Sequence, residues 1–265
     1  MTPRRAFAPR WTVRIGWLLL AAYVVYAVGR LDFNAERFAT GLDNGARFIA
    51  RMLPPRIVQP DSLAKGLIES LEIAVLASFA GIVLALPIGL LAARNLMPGW
   101  VTWPARALIA AARSFHPVIV AIVFVKAVGF GALAGIGALV VASIGFIGKL
   151  FAEAIEEISL KQVEAVRATG ASFMNVITYG VMPQVFGRFI GFATYQLDSN
   201  LRNSTMVGIV GAGGIGGTLF SAFQRFDYDF VAAILLSIIA MIFVGELLAT
   251  WVRGVFLERG KVDEE

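Results

Sequence analysis

Seven polar residues interrupt an apolar stretch in the C-terminal half of the chain: Asp198, Ser199, Asn200, Arg202, Asn203, Ser204 and Thr205. A guanidinium among amide and hydroxyl donors suits hydrogen bonding to a tetrahedral oxyanion, because its planar fork matches paired oxygens. Asp198 and Arg202 are four residues apart, so on a helix they can pair on one face. A charge facing lipid at the bilayer centre costs roughly 2.5–3.5 kcal/mol. The set must therefore face protein or water. Two readings fit the spacing equally: a path that an anion crosses through weak contacts, or a structural pair that locks helices or a dimer interface.

Other chemistries have less support. His116 is the only histidine and there is no cysteine; a multi-histidine or zinc-thiolate site within one chain is excluded. His116 precedes Pro117 and reads as structural rather than as a proton carrier. Lys126, at the end of an apolar run, reads as a side chain that snorkels to the interface. Gly211, Gly213, Gly214 and Gly216 fit the dinucleotide spacing GxGxxG but lack a βαβ context. They read instead as a gate, either a non-helical element or a site of close helix approach. No GxxxxGK[ST] loop occurs, so energy must come from another chain or an ion gradient. No nucleophile-base set lies within the apolar segments, which argues against a membrane-embedded enzyme.

The elements that position these residues follow from composition. Of 265 residues 58% are hydrophobic and 15% charged, with a net charge of +5. This is the profile of an all-α integral membrane protein. We expect about six spans: Arg14–Gly29, Gly66–Ala93, Ser114–Val128, Ala138–Leu150, Phe186–Val210 and Phe230–Val252. Arg94–Arg113 reads as a linker, and the glycine-rich run 129–137 as a turn. Between the first two spans, Ala46, Phe48, Ile49, Met52 and Leu53 recur at helical spacing and suggest an amphipathic helix ended by Pro54 and Pro55. With the amino terminus inside, inner segments carry 14 lysines and arginines and outer segments 8, which favours cytoplasmic termini. The domain organisation expected is 1–66, a first span with a periplasmic amphipathic segment; 67–252, the transmembrane domain; and 253–265, a cytoplasmic tail.

A further polar interruption runs from 153 to 185. Glu153, Glu156, Glu157, Lys161 and Glu164 suggest a water-facing helix extending span four, with Glu157–Lys161 an i,i+4 pair worth ~0.3 kcal/mol. Gly170 supplies a reversal. Ser172 suits the N-cap of a short helix whose apolar face is Phe173, Met174, Ile177 and Val181. Pro183 suits the first turn of the next helix and marks a second break. An exposed apolar knob of this kind suits a partner; a self-packed loop is the alternative.

Here the sequence resembles a known family. Glu164-Ala165-Val166, three residues, Gly170, nine residues, Gly180, one residue and Met182-Pro183 is similar to the EAA loop of ABC importer permeases, which reads EAA, three residues, Gly, nine residues, Ile, one residue, Leu-Pro. Val166, Gly180 and Met182 depart from it. ArgSerPheHisPro at 113–117, GFIGKLFAEAIEEI at 145–158, QVEAVRATGAS at 162–172 and LDSNLRNST at 197–205 followed by VGAGGIG resemble the phosphonate-type permeases. The resemblance implies a type I importer permease (MetI-like) fold in a bacterial inner membrane, driven through alternating access. Glu164, Ala165, Gly170, Phe173, Met174 and Pro183 would couple to an ATPase. It further implies a homodimer, two ATP-binding subunits that hold ATP and Mg, no cofactor in this chain, and a binding protein that delivers phosphonate, phosphite or hypophosphite. A permease of this type for another small solute, and an ion-coupled secondary transporter, are the alternatives.

Overall fold

The structure, a computed structural model, describes residues 11–31 and 34–257. The basic residues 1–10 and most of the charged tail lie outside that range. All regular elements among the described residues are helical. The chain divides into two units, Met1–Leu53 and Pro54–Glu265.

The first unit holds α1 (Trp11–Arg30) and α2 (Ala35–Arg51). α1 is apolar around its whole circumference. α2 is longer at its amino end than the apolar spacing suggests, because Asn34 caps it: Asn34 Oδ1 accepts from the Glu36 N–H at 3.0 Å. It stops at Arg51, ahead of Pro54 and Pro55.

The second unit begins before α3 (Pro60–Ala92), a helix with Pro60 at its first position. The boundary expected at residue 66 thus falls inside α3. Next come α4 (Gly99–Ser114), α5 (Pro117–Val128) and α6 (Ala132–Glu156). Residues 94–113 are therefore mostly helix rather than linker. Arg94, Arg106 and Arg113 suggested a solvated connection, yet the intervening Ala-rich run favours helix. α4 and α5 meet at a 93° bend. Its cause is local: His116 precedes Pro117, which disfavours the α region, and it adopts φ −68°, ψ 140°. His116 Nδ1 accepts from the Val118 N–H at 3.3 Å and caps α5. Lys126 is exposed in the last turn of α5.

α6 is the central helix, packed on α3, α4, α5 and α9. Its contacts run through small residues. A Cβ at Gly81 of α3 would lie 2.3 Å from Ser143 Cβ, and one at Gly145 would lie 2.7 Å from Arg113 Cγ. Of the glycine-rich run 129–137, Gly129–Gly131 form the turn and the rest belongs to α6. Gly135 stays because the Ala212 carbonyl would be 2.4 Å from its Cβ.

α7 (Leu160–Ala168), α8 (Phe173–Asn175) and a π-helical segment (Val176–Val181) lead into α9 (Met182–Ile209), α10 (Ile215–Gln224) and α11 (Tyr228–Leu257). Among the described residues, four helices are long and apolar enough to cross a membrane: α1, α3, α6 and α11. Taken together as one broken span, the bent pair α4–α5 is a fifth; α5 alone, with 12 residues, is too short for the span expected at Ser114–Val128. The remaining expected span, Phe186–Val210, falls in α9. Its 28 residues reach about 42 Å, but Arg188, Asp198 and Arg202 lower its apolarity.

Gly81→Ala is expected to destabilise the bundle by about 1–3 kcal/mol, the cost of overpacking a tight contact. Gly16→Ala, with nothing within 4 Å of the new carbon, should leave the thermal midpoint of the detergent-solubilised chain unchanged. Equal midpoints for both variants would show that α3 and α6 do not approach this closely.

Candidate coupling turn and polar helix

α6 does not run on into the next polar helix. It ends at Glu156 with Glu157 as C-cap, and α7 starts afresh after Ser159. The expected Glu157–Lys161 pair therefore does not form: the two residues belong to different helices. Two of the carboxylates instead hold distant elements. Glu157 pairs with Arg188 of α9 at 2.5 Å. Glu156 pairs with Arg106 of α4 at 2.5 Å and accepts from the Arg94 N–H at 2.8 Å. Glu153 pairs with Lys149 at 3.4 Å. Gln184 adds a clamp, accepting from the Ser159 N–H at 2.9 Å and donating to the Gly180 carbonyl at 2.6 Å. Nothing in the spacing of Gln184 marks it for this role.

Gly170 closes α7 with φ +77° and a 3.0 Å bond from its N–H to the Arg167 carbonyl. No atom lies within 4 Å of a Cβ there, so glycine is required by backbone angle, not by space. Ser172 occupies the N-cap of α8 in extended conformation, without a side-chain cap bond. The second break expected at Pro183 is absent. α8, the π segment and α9 are continuous. The widened turn lies directly ahead of Pro183, which lacks an N–H for the Tyr179 carbonyl and whose ring crowds it.

The expected apolar face divides. Phe173 and Met174 are exposed at 47% and 66%, whereas Ile177 and Val181 are buried. These two join Phe151, Ile155, Val163 and Val185 in one apolar cluster. Tyr179, which sequence reasoning missed, is 70% exposed. Glu164 and Ala165 are exposed on α7. Gly180, where the EAA pattern has isoleucine, is buried; a Cβ there would lie 3.3 Å from Val163 Cα.

The seven polar residues of α9 separate onto two faces. Asp198 and Arg202 pair, with Asp198 nearly buried and Arg202 half-exposed. Ser199 and Asn203 bond at 3.3 Å beside them. Asn200 instead points into the bundle. Its Nδ2 donates to Ser78 Oγ of α3 at 2.9 Å and to Ser143 Oγ of α6 at 3.0 Å, and its Oδ1 accepts from Gln196 at 2.9 Å. Ser204 is buried and bonds the Leu201 carbonyl. Thr205 Oγ1 and Asp198 Oδ1 are buried without a partner among the described residues. Gln196, Ser78 and Ser143 were not singled out from sequence. The i,i+4 relation of Gln196 to Asn200 was the available signal.

The glycine element after α9 is non-helical from Val210 to Gly214, with positive φ at Gly211, Gly213 and Gly214. Gly216 lies in α10, where a Cβ would meet the Thr205 carbonyl at 2.0 Å. The loop touches two other elements. Gly211 accepts from the Gly131 N–H at 3.0 Å, and the Ile215 N–H donates to Ser70 Oγ at 2.9 Å.

A polar-cored bundle of crossing helices with several apolar spans fits a multi-span membrane protein. Residues 85–259 match the family described as binding-protein-dependent transport system inner membrane component. The chain belongs to that family, the permease subunits of ABC importers. It is 40% identical over 243 residues to the phosphite transport system permease protein PtxC of Stutzerimonas stutzeri, covering 90% of this chain and 88% of that protein. It is 38% identical over 241 residues to the phosphate-import permease protein PhnE of Mycolicibacterium smegmatis, covering 89% of this chain but 45% of that longer protein. A solved MetNI methionine ABC transporter in an inward-facing conformation superposes with a TM-score of 0.64 at 25% identity, over 73% of this chain and 96% of that chain.

Asn200→Leu is expected to destabilise the fold by about 1–3 kcal/mol, because Ser78 and Ser143 lose a buried partner. Arg225→Gln, which breaks the exposed Arg225–Asp227 pair, should shift stability by less than ~1 kcal/mol. Thermal unfolding of both variants in detergent checks the contrast.

Proposed function

We propose that this permease imports phosphonate or a related phosphorus oxyanion, phosphite or hypophosphite. In this reading two copies form the pore, two separate ATP-binding subunits supply the work with bound ATP and Mg, and an extracytoplasmic binding protein delivers the solute. Both termini lie in the cytoplasm. The names of the relatives support the cargo; the basic-residue bias supports the orientation.

The observation that carries the mechanism is the construction of the turn. Phe173, Met174 and Tyr179 project from a knob whose other side, Ile177 and Val181, is sealed into the bundle. An ATPase that grips the exposed side pulls on an element continuous with α9. The Glu157–Arg188 pair and the Gln184 clamp tie the same knob to the end of α6. Movement of the knob is therefore movement of α6 and α9 together, the two helices that line up Asn200 and the α9 polar face. Asp198, Ser199, Arg202 and Asn203 lie along the path in this reading, with Asn200, Ser204 and Thr205 holding its wall. The loop of Gly211, Gly213 and Gly214, with Gly216 behind it, acts as the gate.

A cross-linker at Phe173 or Met174 should capture the ATP-binding subunit in membranes. Gly170→Pro should abolish ATP-dependent uptake in proteoliposomes while the binding protein still binds its solute. Proline fixes φ near −65°, far from +77°. Normal uptake by this variant would refute coupling through the turn. Competition of uptake by phosphonate, phosphite and methionine distinguishes the cargo from that of another small-solute permease.

A further inference from the structure

A second cationic feature lies away from α9. On α4, Arg106 and Arg113 stand seven residues apart, two turns along one face, about 10 Å by helix rise. Lys149 and Glu153 share the facing side of α6. The helices meet tightly here: a Cβ at Gly148 would lie 3.3 Å from Ile109, and Gly145 abuts Arg113. Arg94, just past the end of α3, completes a cleft of about 310 Å³ lined by these four cations and by apolar side chains such as Ile109.

Charge within the cleft is unbalanced. Glu156 pairs with Arg106 and Glu153 with Lys149. The side chains of Arg94 and Arg113 have no carboxylate within 4.0 Å among the described residues, so two positive charges are left over. Their depth matters. Gly145 lies eleven residues before the end of α6 at Glu156, so Arg113 sits about 16 Å along that apolar helix. A guanidinium at this level needs water, protein or an anion to solvate it. In the first turns of the same helix as Arg113, outside the cleft lining, Trp100 and Trp103 are 80% and 75% exposed, as expected of aromatic side chains at headgroup level. Basic clefts between membrane helices at that level take phosphate head groups.

We propose that the cleft between α3, α4 and α6 binds one phosphate-type tetrahedral oxyanion group, with Arg94 and Arg113 as its principal ligands and Lys149 and Arg106 beside them. The group can belong to an anionic phospholipid or to free phosphate; both present the paired oxygens that a guanidinium fork matches. The assignment is independent of the transported solute.

The test uses the full chain, purified and delipidated in detergent. Native mass spectrometry reads retention of phosphatidylglycerol against phosphatidylcholine. Calorimetry reads inorganic phosphate against chloride at equal ionic strength. The wild type is expected to bind phosphatidylglycerol, inorganic phosphate or both, in preference to its control; the responding arm identifies the source. R94Q/R113Q is expected to lose at least tenfold in affinity. R94K/R113K should retain part of it, and R56Q/R225Q, outside the cleft, should match the wild type. If R94Q/R113Q does not fold, K149Q should still weaken binding severalfold. The proposal is overturned if neither probe is preferred by the wild type, if the cleft variants bind as the wild type does, or if R56Q/R225Q loses as much as they do.

Discussion

The structure depends on how closely α6 is approached by its neighbours. Apolar side chains gain little from leaving lipid for one another, so helices in a membrane are held by packing contact and by polar bonds between them. Both need short distances. Gly81 lets α3 reach Ser143, Gly148 admits Ile109, Gly145 admits Ala112 and Arg113, and Gly135 admits the Ala212 carbonyl. The same approach brings Ser78 and Ser143 within reach of Asn200 and Gln196. Small-residue packing and the buried polar network are thus one device: the glycines set the separation, and the amides fix the register at that separation.

A bundle packed this tightly moves in rigid pieces, and its freedom is confined to a few backbone positions. Glycines with positive φ occur at the two facing turns, Gly129 and Gly131 on one and Gly211, Gly213 and Gly214 on the other, and at Gly170. The facing turns are joined by the Gly131–Gly211 hydrogen bond and packed against Ser70. Gly170 stands in open space. The contrast is physical: a backbone angle imposed with nothing around it can change with a partner, whereas one imposed inside a packed junction changes only when the junction does. Hinges of this type are a few terminal or loop residues that absorb a change of dihedral angle.

Much of this was legible in the sequence. Apolar length located α1, α3, α6 and α11, and i,i+4 spacing located the Asp198–Arg202 pair. The turn at Gly170 followed from glycine chemistry and from the EAA spacing. Other features were not legible because they depend on partners distant in the chain. Glu157 had a suitable cation four residues on at Lys161, yet α6 ends between them and Arg188 takes the carboxylate. Asn200 shared a polar cluster with Arg202, but the helix turns their side chains to opposite environments. α4 was masked by its arginines: local charge suggested a linker, while its small and apolar positions, Ile109 among them, fit the groove at Gly148.

The position where the chain departs most from the EAA pattern makes the same point. Isoleucine at residue 180 would add apolar area, so glycine looks like a loss of contact. In the structure residue 180 is buried against the Val163 backbone, and even a single Cβ would stand 3.3 Å from Val163 Cα. Glycine exchanges side-chain area for proximity: α7 lies directly on the π segment, and the Gly180 carbonyl is left free to accept from Gln184. The apolar contact is made instead by Val163, Val176 and Val181. A motif residue can thus be replaced by its opposite in size when neighbouring backbone moves into the vacated volume, and the joint between α7 and α9 stays closed.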